Sequence, residues 1–178
     1  MINEIKIVIG SWGSYNECNE RALGSNWLTL NDFSSVDELK AELVREGFEL
    51  DGIDEELFVQ DIEGIDLDNC DYTNPLCLFE TLLESGVLED EYAYECMCAI
   101  IEVDNFSTFV SEVEKYGANF MDSYIFYSGR TLEDLAYEFV EEMGLPEIAT
   151  RYFDYEQYAR DLSFDGYTET ENGVICAC

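Results

Sequence analysis

PLCLFETLLESG, residues 75–86, is the segment from which the fold is read. Its apolar residues Leu76, Phe79, Leu82 and Leu83 recur at helical spacing. Pro75 suits the first helical position, where its missing N–H is no loss, and Gly86 can end the helix. Two further helices are predicted over 89–101 and 107–116, so the middle of the chain reads as a compact helical unit. This unit lies inside an unusual run of charge. From Glu46 to Glu114 the chain carries 21 Asp and Glu and no Lys or Arg.

Working outward, both flanks mix strand and helix. Residues 4–9 (EIKIVI) alternate apolar and polar, as a half-buried strand does. A Gly- and Asn-rich loop is predicted from Gly10 to Asn26, then a strand over Trp27–Leu30. Ser35 and Glu38 form a capping-box pattern before a helix whose apolar face holds Val36, Leu39, Leu43 and Val44, with Gly47 as its stop. Residues 56–62 (ELFVQDI) give a third strand. On the other side, 122–127 (DSYIFY) predicts a strand, and Thr131 and Asp134 a second capping box before Leu132, Leu135, Ala136, Phe139 and Met143. Gly144 ends that helix, Pro146 opens a short one, and Asp154 caps another holding Tyr155, Tyr158, Ala159 and Leu162. Asn172-Gly173 signals a hairpin turn between two short strands. The expectation is an α+β fold, an elongated chain of three small units: residues 1–62 mixed, 63–119 helical and 120–178 mixed.

The 178 residues hold 41 acids against 8 bases and no His, a net charge of −33. Crowding like charge on a compact body opposes folding, and solubility needs a net charge of only about 2–8. Disorder is not the explanation, because 47% of the residues are hydrophobic and 14% aromatic. The charge is read as the working part. It disfavours direct binding to nucleic acid, which needs Lys and Arg to displace phosphate counterions, and it is repelled by anionic membranes. No segment is long and apolar enough to span a bilayer, and Glu4 and Lys6 break up the apolar start. With seven Cys, an odd number, the expected setting is a reducing cytoplasm.

Specific chemistry fares poorly. Without His there is no Ser-His-Asp or Cys-His machinery, so no enzyme activity is expected. A carboxylate-dependent hydrolase would need a cleft acid of raised pKa. Asp66 to Asp71 resembles the opening of an EF-hand loop but has Asp71 where Gly belongs and Cys77 where Glu belongs. An acidic module for calcium or another divalent cation is the alternative reading, yet no metal ligand set and no cofactor is assigned. The pairs Cys96/Cys98 and Cys176/Cys178 are read as small apolar residues ahead of a zinc site. Phe79, Phe139 and Trp27 are read as core, and tyrosines among acids, as in Glu91-Tyr92-Ala93-Tyr94-Glu95, as rings packed inward with wet hydroxyls.

Duplex DNA carries one charge per about 1.7 Å of axis, so 33 charges match roughly 56 Å of it. A compact chain of this size is about 40 Å across, so an elongated body accommodates the charge better. The chain resembles the ArdA antirestriction proteins, DNA mimics of mobile elements. The resemblance rests on Trp12-Gly13-Ser14-Tyr15-Asn16, Gly24-Ser25-Asn26-Trp27-Leu28, Phe58-Val59-Gln60-Asp61, Leu132-Glu133-Asp134-Leu135-Ala136 through Gly144, and Asp154-Tyr155 through Tyr158-Ala159-Arg160-Asp161-Leu162. It implies three small domains in a line, a curved homodimer joined through the C-terminal part, and inhibition of type I restriction-modification enzymes by occupying their DNA groove. The Cys-rich C-terminus departs from the family pattern.

The expected phosphate-mimicking acids are Glu63, Asp66, Asp68, Asp71, Glu80, Glu84, Glu89, Asp90, Glu91, Glu95, Glu102, Asp104, Glu112 and Glu114 in the middle unit. Asp122, Glu133, Asp134, Glu138, Glu141 and Glu142 continue the set into the C-terminal unit. Leu132, Leu135 and Phe139 are candidates for supporting the dimer or the placing of its domains. If repulsion among these acids opposes folding, moderate NaCl raises the unfolding temperature. A thermal melt followed by circular dichroism at low and moderate salt checks this, and a constant midpoint refutes it.

Overall fold

The computed structural model describes residues 4–67 and 74–178. The described fold is α+β, with strands at both ends and helices between them. The N-terminal part holds β1 (Lys6–Ser11), α1 (Trp12–Glu17), β2 (Leu28–Thr29), α2 (Val36–Arg45) and β3 (Leu57–Glu63). The middle holds α3 (Pro75–Ser85), α4 (Glu91–Val103) and α5 (Phe106–Tyr116). A 3-10 segment, Gly117–Ser123, leads into β4 (Tyr124–Ser128). Then come α6 (Leu132–Glu142), α7 (Glu147–Thr150), α8 (Tyr155–Phe164), β5 (Thr168–Thr170) and β6 (Gly173–Ala177).

Each sheet has three strands, ordered β2-β1-β3 and β4-β6-β5, and all pairings are antiparallel. β1 is buried along nearly its whole length because it is central and its outer face is covered. β3 is an edge strand and exposes Gln60 and Asp61. One buried cluster runs from Ile5, Ile7 and Ile9 through Leu39 and Leu43 of α2, Phe79 and Leu82 of α3, Met97 and Ile100 of α4, and Phe109 of α5 to Phe126 and Ile175. A second, smaller cluster holds Leu135, Ala136, Ala159, Leu162 and Val174. At about 25 cal/mol per Å² of apolar surface removed from water, such burial is what opposes the charge repulsion.

Local signals explain most element ends. Pro75 stands at the first turn of α3, Asn74 accepts from Leu76 N and Cys77 N, and Gly86 (φ +77°) stops the helix. Thr131 and Asp134 form a complete capping box on α6. At α2 only half of the expected box is present. Ser35 accepts from Glu38 N, but the Glu38 carboxylate turns to the N–H and hydroxyl of Ser34.

Four expectations are corrected. The predicted loop over Gly10–Asn26 contains helix α1, started by the Ser11 hydroxyl accepting from Ser14 N. Trp27 is 46% exposed rather than core, and Val44 turns outward at 57%. The hairpin turn is Glu171-Asn172, with Thr170 paired to Gly173. Gly173 begins β6, paired with Ser128, and must lack a side chain because a Cβ there would lie 2.2 Å from Tyr127 O. The Asn-Gly signal was real, but its glycine serves close approach of strands rather than the turn.

Asp54 anchors the N-terminal part. It is buried and accepts hydrogen bonds from the Ser14 hydroxyl and from Glu49 N at 2.8 Å. The Ser14 hydroxyl in turn accepts from Asn19 Nδ2 at 3.0 Å. Burial pushes the Asp54 carboxyl up, but hydrogen bonds from Ser11, Ser14 and Glu49 N, helped by Arg21, outweigh it and hold the pKa below its usual value. The folded pKa is therefore depressed, so the stabilisation is fully present above the usual carboxylate range and is lost as pH falls through the folded value. Asp54→Ala lowers stability by about 2 kcal/mol at neutral pH. Urea unfolding of both proteins checks this, and the gap between them narrows as pH falls below the usual carboxylate range.

Candidate functional site

Of the twenty acids expected to face a target, Asp68 and Asp71 lie outside the described residues. Fourteen of the other eighteen are exposed, so the helices present charge to water rather than burying it. Glu95, Glu112, Asp134 and Glu138 are half-buried. Glu80 and Glu84 on α3 stand four residues apart, as do Asp134 and Glu138 on α6, so each pair shares a helix face. Four residues of helix rise roughly 6 Å, and phosphates of one DNA strand are spaced about 3.4 Å along the axis. Like charges at this helical spacing cost about 0.2–0.5 kcal/mol per pair. The arrangement is therefore unfavourable for the helices themselves.

The bases do little to neutralise this surface. Six form ion pairs close to home: Lys6–Glu4 at 3.0 Å, Arg45–Glu42 at 2.7 Å, Lys115–Glu112 at 2.9 Å, Arg130–Glu138 at 2.8 Å, Arg151–Glu147 at 3.5 Å and Arg160–Glu156 at 3.9 Å. Arg21 instead donates to Glu46 O at 2.6 Å. Between residues 63 and 119 Lys115 is the only base against 14 acids. Among the described residues Glu80, Glu84, Glu89, Glu114, Glu133, Glu141 and Glu142 have neither an ion pair nor a hydrogen bond on their carboxylates.

Other acids on the expected list do structural work. Asp90 caps α4 by accepting from Tyr92 N and Ala93 N. Asp104 accepts from the Thr108 hydroxyl at 2.7 Å. Glu112 accepts from Ser123 at 2.7 Å as well as pairing with Lys115, and these bonds hold its pKa low. Asp134 is held low by the Thr131 backbone and hydroxyl. Glu95 accepts from the Ser128 hydroxyl, and Glu102 accepts from Glu171 N at 2.9 Å. The tyrosines among these acids are not simply wet. Tyr92 donates its hydroxyl to Phe126 O at 2.7 Å, and the buried Tyr94 donates to Gly64 O. Sequence reasoning missed these two, and Ser128, because a hydroxyl's distant backbone acceptor leaves no mark on local spacing.

A cleft of about 750 Å³ opens beside α4, lined by Asp66, Tyr94, Cys98, Glu102, Asp104 and Glu171 among others. No three His, Cys, Asp or Glu among the described residues converge as a metal site. No helix among them is long and apolar enough to cross a membrane. Leu135 is fully buried in the smaller core, with Leu132 and Phe139 packed against it.

An ordered series of exposed acids across four helices, with few bases near it, is thus joined to the sequence segments quoted above. The family model described as Antirestriction protein (ArdA) matches residues 7–176. The chain belongs to the ArdA antirestriction family. None of the curated proteins compared with it matches. The matched span includes every described strand and helix of the fold except the ends of β1 and β6.

The cysteines sort by burial. Burial pushes the Cys96 thiol up to about 12 and Cys98 up to about 11, with neighbouring acids adding to Cys98. Cys18, Cys77 and Cys178 are exposed. A thiol-specific reagent at about pH 8 labels these three in the native protein and spares Cys96 until denaturant is added. Mass mapping of the labelled peptides checks this, and fast native labelling of Cys96 refutes it.

Proposed function

We propose that this protein is a non-enzymatic, competitive inhibitor that imitates B-form DNA and occupies the DNA-binding groove of type I restriction-modification enzymes. Carboxylates of α3 to α6 stand in for phosphates and meet the Lys and Arg of the groove. The observation that carries the reading is the series of exposed, unpaired carboxylates spread over α3, α5 and α6 in a region with almost no base. Family membership supports the antirestriction part.

Three small units in a row, paired into a homodimer in the cytoplasm, give this surface its length. The accessible surface of 10338 Å² supports an extended body, since a compact 20.4 kDa protein exposes about 8,800 Å². Two copies related by a two-fold axis double the length of the acidic surface and match a symmetric DNA-binding target. Leu132, Leu135 and Phe139 act by holding α6 and its acids in place rather than by touching the target.

Competition is the direct test. The protein displaces duplex DNA from a purified type I methyltransferase at low salt, and added NaCl weakens the complex steeply. A complex that DNA cannot displace refutes mimicry. Single changes such as Glu84→Gln weaken binding by no more than about 1 kcal/mol each, because each exposed pair contributes little. Combining Glu80→Gln, Glu84→Gln, Glu133→Gln and Glu141→Gln gives a cumulative loss. Titration of the variants into a fluorescent DNA–methyltransferase complex reads both.

A further inference from the structure

We infer that α4 is the joint that sets the relative placement of the N-terminal and C-terminal sheets, and that Tyr92, Glu95 and Glu102 are positioning residues of the acidic surface rather than parts of its target-facing charge. The functional half of this inference rests on the DNA-mimic reading; the structural half does not.

The contacts are long-range and come from two sides of one helix. Tyr92, Glu95 and Glu102 are spaced by three and seven residues, which places them on one face. That face meets the C-terminal sheet. The Tyr92 hydroxyl donates to Phe126 O in β4, the Ser128 hydroxyl at the end of β4 donates to Glu95, and the hairpin-turn N–H of Glu171 donates to Glu102 at 2.9 Å. The Tyr92 ring also lies 5.4 Å from that of Phe126. Tyr94, two residues from Tyr92, points to the opposite side and donates to Gly64 O, just beyond β3. The loop before α4 is tied to the same N-terminal sheet, because Asn31 Nδ2 donates to Leu88 O at 2.9 Å while Asn31 Oδ1 accepts from Ile5 N.

Glu95 and Glu102 accept hydrogen bonds that a free phosphate mimic would leave to the target. One oxygen of each, Oε2, is committed to a neutral donor, 33 residues away for Glu95 and 69 for Glu102. A surface that matches a groove by many weak contacts depends on where its parts sit, so a loosened joint weakens all contacts beyond it.

The test uses the full chain carrying Tyr92→Phe and Ser128→Ala together, which leaves the net charge unchanged. Circular dichroism confirms the native helix content. Small-angle scattering reads the arrangement of the sheets, and displacement of duplex DNA from a type I methyltransferase reads function. The expected result is a folded protein with an altered scattering profile and about tenfold weaker displacement. Glu102→Gln keeps an oxygen for Glu171 N–H and retains the wild-type profile and displacement. Glu102→Ala loses both, although the two variants remove the same charge. A wild-type scattering profile for the charge-neutral double variant overturns the inference. So do equal losses in Glu102→Gln and Glu102→Ala, which would make Glu102 a charge and nothing more. If the wild-type protein itself fails to displace DNA, the mimic reading fails and scattering alone decides the joint. Should the double variant not fold, Ser128→Ala alone, read by the same two measurements, decides the matter.

Discussion

Repulsion among unpaired carboxylates is the constraint that every other feature of this protein accommodates. A net charge of −33 on 178 residues cannot be relieved by pairing, because eight bases are too few and six of those are used within their own neighbourhoods. The fold answers by separating the two requirements. Apolar residues form a buried cluster continuous from β1 to β6, while the acids are carried outward on helix faces. Where an acid is drawn inward, it is given donors. Asp54 has several, and no buried polar side-chain atom among the described residues lacks a partner.

Much of this was legible in the sequence, for local reasons. Pro75 and Gly86 bound α3, and Thr131 with Asp134 start α6, because caps act within one turn. The strands at both ends followed from alternation and turn residues. What failed was non-local. Gly10 to Asn26 looked like loop because Gly and Asn dominate it, yet Ser11 caps α1 there, and Trp12 stacks on Phe58 at 4.3 Å, a residue 46 positions away. Gly173 looked like a turn residue because its reason, the close approach of Tyr127 O, comes from the pairing of β4 with β6, which local spacing does not reveal.

The candidate surface was legible to the same degree. That Glu80, Glu84, Glu133 and Glu141 would be exposed followed from helical periodicity, since they fall opposite the apolar stripe. That Glu95, Glu102 and Glu112 would be drawn into contacts did not, because their donors Ser128, Glu171 and Ser123 come from the C-terminal third of the chain. Acidic residues thus divide into those left bare and those used to hold the scaffold, and only tertiary structure tells them apart.

The bare carboxylates of α3 and α6 carry a further thermodynamic meaning. Without cationic side chains beside them, they hold a diffuse layer of sodium and potassium ions, as a polyelectrolyte does. A cationic body settling onto this face sets that layer free and gives up its own small anions at the same time. Association is then powered chiefly by the mixing of liberated ions into bulk solvent, with little heat evolved, and the protein stores that entropy for as long as its surface stays uncovered.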